Sequence, residues 1–245
     1  MALSISQTKA LGSILKPGMR VVSMGYPDII APNEIIEELL GENKCFIRYR
    51  DDSEVICNRH RLTQRKIPDT ESLFDALGCK LDVFDIVRER GCEILCDLNY
   101  PIVPRETYDI VLDVGTLEHC FNIGQAAFNM AGLVKVGGFI LHENPFNWGN
   151  HGLYGLNPAW YFDFYEQNGF KLLACRLIPR GGHDPINPPL ISRFVFTGQE
   201  ANIFAVARRD EMKELVYPMQ TKYNPAAGVR AIAAAEQRAK ETING

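Results

Sequence analysis

Three aspartates and three histidines carry most of the chemistry this sequence could offer. Asp85, Asp97 and Asp113 each stand at or just after the end of a short apolar run, and His119, His142 and His151 follow them in the chain. A carboxylate at the end of a second strand accepts from the ribose hydroxyls of a nucleoside, and one after a third strand accepts from an adenine amino group. An imidazole with an ordinary pKa near ~6.5 suits removal of a proton from a hydroxyl. The structural alternatives are a turn capped by Asp97, a helix opened by Asp85, and histidines held by interior hydrogen bonds. His151 lies in a Gly/Asn loop, where exposed function is commoner, so it ranks first as a base. His119 ranks second because it is expected to open a helix, and His142, at a strand end, ranks third. His142, Glu143 and His151 are donor types for zinc or iron, but their spacing matches no defined ligand motif, so no metal site is expected.

Aromatic residues crowd residues 148–165. About half fall at helical spacing and read as core. Trp148 and Tyr154 are the candidates for a lid over an organic substrate. Residues 44–66 carry a local excess of Lys and Arg, which reads as a solvated face before it reads as a phosphate site.

These residues need elements to position them. Residues 19–24 (MRVVSM) read as a buried strand stopped by Gly25, and 33–40 (NEIIEELL) as a helix capped by Asn33 and ended by Gly41. Residues 45–49 and 54–58 flank Arg50-Asp51-Asp52-Ser53 and predict a hairpin. Helix 69–77, strands 80–86, 93–97 and 108–114, and helix 119–134 follow, the last with apolar spacing at Phe121, Ala127, Met130 and Leu133. A strand starts at 137–141, a helix spans 158–167, and late strands cover 172–178 and 201–207, around a Pro/Gly-rich loop. The tail 225–245 reads as a surface or frayed helix. This alternation predicts a Rossmann-like α/β fold: a doubly wound, mostly parallel sheet with an antiparallel last strand. Ligands of such sheets bind at the carboxyl ends of the strands. One domain over 1–245 is expected, with an irregular insertion at about 28–66.

Composition bounds the partners. Of 245 residues, 46% are hydrophobic and 23% charged, and 26 Lys and Arg against 30 Asp and Glu give a net charge of −4. A mildly acidic chain has no global field for a polyanion, so nucleic acid is not expected. No apolar run reaches the ~18–20 residues of a membrane span, and the first eighteen residues lack a signal peptide's apolar core. Seven cysteines without a C-x-x-C predict reduced thiols in a cytoplasmic protein.

Residues 108–142, YDIVLDVGTLEHCFNIGQAAFNMAGLVKVGGFILH, resemble the class I S-adenosylmethionine-dependent methyltransferases. YDIVLDVGTLEH is similar to their fourth strand and following loop, and LVKVGGFILH to their helix, Gly-Gly turn and fifth strand. Residues 150–170 resemble a branch linked with sugar modification. The resemblance implies S-adenosylmethionine as cofactor, with Gly25 at its methionine end, Asp85 at the ribose, Asp97 at the adenine with Leu98 beside it, and Gly115 and Thr116 on the floor. It also implies methyl transfer to a small or sugar-like acceptor, expected to be a hydroxyl, between the fourth-strand loop and residues 142–155. The departure is at the first strand, where the family's Gly-x-Gly-x-Gly turn is replaced by Gly25-Tyr26-Pro27 and Pro27 removes a backbone donor. That turn favours a second reading, a binding or scaffold protein of the same fold without catalysis. A nicotinamide enzyme is disfavoured because no G-x-G-x-x-G follows the first strand.

Overall fold

The computed structural model describes residues 2–60, 62–63, 66–180 and 184–223. Two compact units divide the chain: Met1–Asp97 with Tyr108–Thr116, and Leu98–Thr107 with Leu117–Gly245. The main sheet has seven strands, mostly parallel, with helices beside them and the last strand antiparallel, the Rossmann-like class that the alternation predicts.

The first unit opens with β1 (Ala2–Leu3), α1 (Ile5–Ile14) and β2 (Arg20–Met24). Next come β3 (Asp28–Ile29), α2 (Asn33–Leu40), α3 (Ser53–His60) and α4 (Thr70–Ala76). The strands β4 (Lys80–Asp85), β5 (Ile94–Leu95) and β6 (Tyr108–Asp113) complete it. Its sheet runs β5-β4-β2-β6, all parallel. Val21, Val22, Ile110, Val111 and Leu112 are fully buried, as strands covered on both faces require.

Among the described residues of 28–66, β3, α2 and α3 supply regular structure. The predicted hairpin is absent: Gly41–Phe46 is a 3-10 helix, and Ser53 starts α3. The extended residues at 48–50 pair instead with the chain near Pro68, through Arg50 N–H to Ile67 O at 2.9 Å and Asp69 N–H to Arg48 O at 2.9 Å. Turning residues 54–58 into a helix lets Ile56 and Cys57 close on Ile67 in a small apolar cluster. Asn33 is the first residue of α2 and not its cap; Pro32 occupies that position without a side-chain bond, while Gly41 ends the helix at φ 55° as expected.

The second unit holds α5 (Ile123–Leu133), β7 (Val134–Pro145), α6 (Pro158–Gln167), β8 (Phe170–Pro179) and β9 (Ala201–Arg209). β9 pairs antiparallel with both β7 and β8. The predicted helix from 119 is shorter. Leu117–His119 forms a 3-10 turn, and the Asn122 side chain accepts from Gln125 N–H and starts α5 four residues late. Phe121 is therefore 78% exposed and does not join Ala127, Met130 and Leu133 in the core. β7 begins at Val134, three residues before the expected start. α6 has the predicted bounds, capped by Asn157 with Pro158 in its first turn. The tail 225–245 lies outside the described residues.

Candidate functional site

In the first unit the strand ends are level. Met24 pairs in register with Phe84 on β4 and Asp113 on β6, and Phe84 pairs with Ile94 on β5. Gly25 and Asp85 therefore follow or close adjacent strands at one height, and Asp97 comes two residues after β5. Gly25 turns the chain at φ 84°, a left-handed conformation costly for any residue with a Cβ. Its N–H donates to Phe84 O at 2.6 Å. Asp85 Oδ1 accepts from Val87 N–H at 3.2 Å, which shapes the turn beyond β4. Asp97 is exposed.

Asp113 and Thr116 fasten the loop after β6. The buried Asp113 carboxylate accepts from Thr116 N–H at 2.9 Å, and the Thr116 hydroxyl donates to Met24 O at 2.5 Å. Gly115 between them is at φ 90°. The loops after the first and fourth strands are thereby tied to each other. Asp113 serves the backbone, which its sequence position alone did not reveal.

The Tyr26-Pro27 turn is fastened just as firmly. Tyr26 is buried, with the guanidinium carbons of Arg50 and Arg90 at 5.4 and 5.3 Å from its ring centre. Its hydroxyl lies 3.4 Å from Asp69 Oδ2, and Thr70 Oγ1 donates to Pro27 O at 2.8 Å. Burial, and then the Asp69 charge, push the Tyr26 phenol above its ordinary pKa. Asp28 is ion-paired to Arg90 at 3.3 Å. Asp52 accepts from Arg50 at 2.8 and 2.9 Å and from Arg90 at 2.8 Å. Those guanidinium hydrogen bonds hold the Asp52 carboxyl at about 2.

The second unit assembles a separate cluster. Glu118 is buried, with its side chain 1% exposed, and its Oε1 lies 3.7 Å from His151 Nε2 and 3.9 Å from His119 Nε2. Its other oxygen accepts from Asn144 Nδ2 at 2.9 Å, and Asn144 Oδ1 accepts from the Tyr161 hydroxyl at 2.5 Å. The two imidazole rings are 5.6 Å apart. Trp148 meets His151 edge-on at 5.1 Å and lies under the Arg180 guanidinium at 5.1 Å. The loop is pinned by Leu153 N–H to Glu118 O at 2.9 Å and by the Tyr154 hydroxyl to Phe121 O at 2.8 Å.

His142 has different surroundings. It is fully buried, its Nε2 is 2.5 Å from the Tyr165 hydroxyl, and both Tyr161 and Tyr165 contact its ring. Residues two apart share a strand face and residues four apart share a helix face. His142 and Asn144 on β7 therefore meet Tyr165 and Tyr161 on α6. Leu98 is buried and its carbonyl accepts from Asn129 Nδ2 at 3.0 Å.

Of the sequence candidates, the fold brings together His119, His151 and Trp148, and in the other unit Gly25, Asp85 and Thr116. Glu118, Asn144 and Tyr161 were missed as partners. The one available signal was Glu118 beside a candidate histidine in Leu-Glu-His.

No protein-family model and no curated protein matches the sequence. Solved structures do match. A chain from the complex between a Haloferax volcanii methyltransferase activator and a methyltransferase is 12% identical, with 84% of this chain and 95% of that one covered at a TM-score of 0.48. The Burkholderia thailandensis 1,6-didemethyltoxoflavin-N1-methyltransferase, solved with S-adenosylhomocysteine, is 13% identical over 83% of this chain and 78% of that one, with a TM-score of 0.46. The N-methyltransferase NodS of Bradyrhizobium japonicum is 13% identical over 84% and 94%, with a TM-score of 0.45.

Proposed function

We propose that the protein transfers a methyl group from S-adenosylmethionine to a small or sugar-like acceptor through a hydroxyl. The observation that carries this reading is the level row of strand ends in the first unit, with Gly25 turning left-handed after β2, Asp85 closing β4 and Asp97 following β5. Asp85 accepts from the ribose and Asp97 from the adenine, with Leu98 beside it, while Gly115 and Thr116 form the floor. The fixed Tyr26-Pro27 turn takes the place of a flexible glycine loop, so the backbone at the methionine end is preorganised before the cofactor arrives. In-line displacement at a sulfonium is mostly positioning. The acceptor's proton goes to the cluster of Glu118, His119 and His151, with His151 first because its loop carries it, and Trp148 and Tyr154 border the acceptor. His142, enclosed by two tyrosines, positions α6.

A second reading, a binding or scaffold protein of the same fold without catalysis, is favoured by the same Tyr26-Pro27 turn. Titration calorimetry with S-adenosylmethionine and its demethylated product tests the donor half. Asp97→Ala is expected to weaken binding by roughly 1–3 kcal/mol through the lost adenine partner. No binding by the unmodified protein at millimolar donor overturns the methyl-transfer reading. Binding without turnover across a panel of sugar, phenol and amine acceptors leaves the second.

A further inference from the structure

We propose that Glu118, His119 and His151 form a binding site for a divalent first-row transition ion, with the Glu118 carboxylate as its fixed anionic donor. Their donor atoms all lie within 4.8 Å of one another. Zinc and its neighbours bind imidazole nitrogen and carboxylate oxygen at about 2.0–2.2 Å, so two donors on one ion are at most about 4.4 Å apart. Both Glu118–histidine distances, 3.7 and 3.9 Å, are already inside that limit. The histidine side chains are 51% and 43% exposed, so a small ring rotation brings the two nitrogens to a common centre without disturbing the core.

The chemistry of the set is specific. Two neutral imidazoles and one carboxylate leave a divalent ion with one net positive charge and open positions for water or an oxygen ligand. This donor set suits zinc, iron, cobalt and manganese better than magnesium or calcium, which favour all-oxygen shells. The carboxylate is oriented as ligating groups generally are: Asn144 holds its second oxygen, and Tyr161 holds Asn144. Loop residues bring the exposed half of the site to the buried half, since Leu153 N–H and the close approach of Gly152 both fix 151 against residue 118.

Ion binding does not depend on methyl transfer. One consequence does rest on that reading: with the ion bound, both imidazole lone pairs are committed to it, so the ion acidifies an acceptor hydroxyl in an open position and the released proton passes to solvent water instead of to His151.

The test uses the full chain, stripped with a chelator and titrated with Co²⁺ and then Zn²⁺, with no methyl donor present. One equivalent of Co²⁺ is expected, with the weak visible absorption of nitrogen and oxygen coordination. His119→Ala and His151→Ala, both at exposed side chains, each weaken binding by more than about tenfold, and Tyr161→Phe weakens it by up to the 10–100-fold typical of outer-shell partners. Absence of Co²⁺ and Zn²⁺ binding overturns the proposal. So does intense thiolate-to-metal absorption, which assigns the ion to cysteine, or undiminished binding by both histidine variants. Donor binding is measured separately on the chelator-treated protein, so failure of the ion site and failure of the methyl-transfer reading give different results.

Discussion

Gly152 sets the spacing of the histidine–glutamate cluster. A Cβ at this position would stand 2.8 Å from Glu118 Cγ and 3.0 Å from Glu118 O, and the second of these is backbone with nowhere to yield. Gly152→Ala therefore pushes the loop bearing His151 away from Glu118. In a closed core such overpacking costs about 1–3 kcal/mol, but a loop with an open outer face relieves most of it by moving outward. Loop displacement should appear in affinity before stability, because the loop's outer face is exposed. We expect Co²⁺ binding and any turnover to fall together while the melting temperature moves little. Unchanged Co²⁺ affinity in this variant would show that the loop position does not matter to the cluster. Glu118 itself was hard to read from sequence. Its partner Asn144 is 26 residues further along, and nothing in Leu-Glu-His announces a buried carboxylate held by an amide. His142 and His151 were equally visible as histidines; only the tyrosine pair on α6 distinguishes an enclosed ring from an exposed one.

At the scale of elements, what was legible was what local chemistry decides. β2, β4 and β6 are apolar runs that a parallel sheet must bury, and α6 carries its own start signal in Asn157-Pro158. Residues 45–58 were misread because Phe-Ile-Arg-Tyr has strand character, and its partner is the chain near Pro68 rather than the next five residues. The first turn of the helix expected at 119 was lost to Asn122, a stronger cap than His119. Helix α6 links capping to the site. Asn157 Oδ1 accepts from Trp160 N–H, and one turn further Tyr161 reaches Asn144, which reaches Glu118. Asn157→Ala removes the cap and should cost about 1 kcal/mol by urea denaturation. Asn157→Asp retains an acceptor and adds a charge favourable to the helix N-terminus, so it should recover most of that loss. Equal losses in both variants would mean the cap bond contributes nothing to α6.

For the whole molecule, the guanidinium network around Tyr26 predicts how stability responds to acid. Asp52 takes three hydrogen bonds from Arg50 and Arg90, which hold its carboxyl at about 2 against an ordinary value of 3.8. Glu93 is held below its ordinary value too: burial opposes ionisation there, but backbone N–H donors, first that of Arg90, outweigh it. Between pH ~4 and ~2 the unfolded chain binds a proton at Asp52 that the folded chain does not. Stability therefore falls as pH drops through that window, is fully present above it, and changes no further from this group below ~2. The Asp52 side chain is 39% exposed, so water screens the pair and the contribution belongs near the ~1 kcal/mol upper end for open ion pairs. Asp52→Asn should be less stable than the parent at pH 7 by about that amount, and the difference should shrink steadily towards pH 2. Urea denaturation of both proteins at pH 7, 4 and 3 reads this directly. A gap that stays constant from pH 7 to pH 3 would assign the loss to packing or to amide geometry, and would remove the Arg50–Asp52–Arg90 charges as the source of the first unit's acid sensitivity.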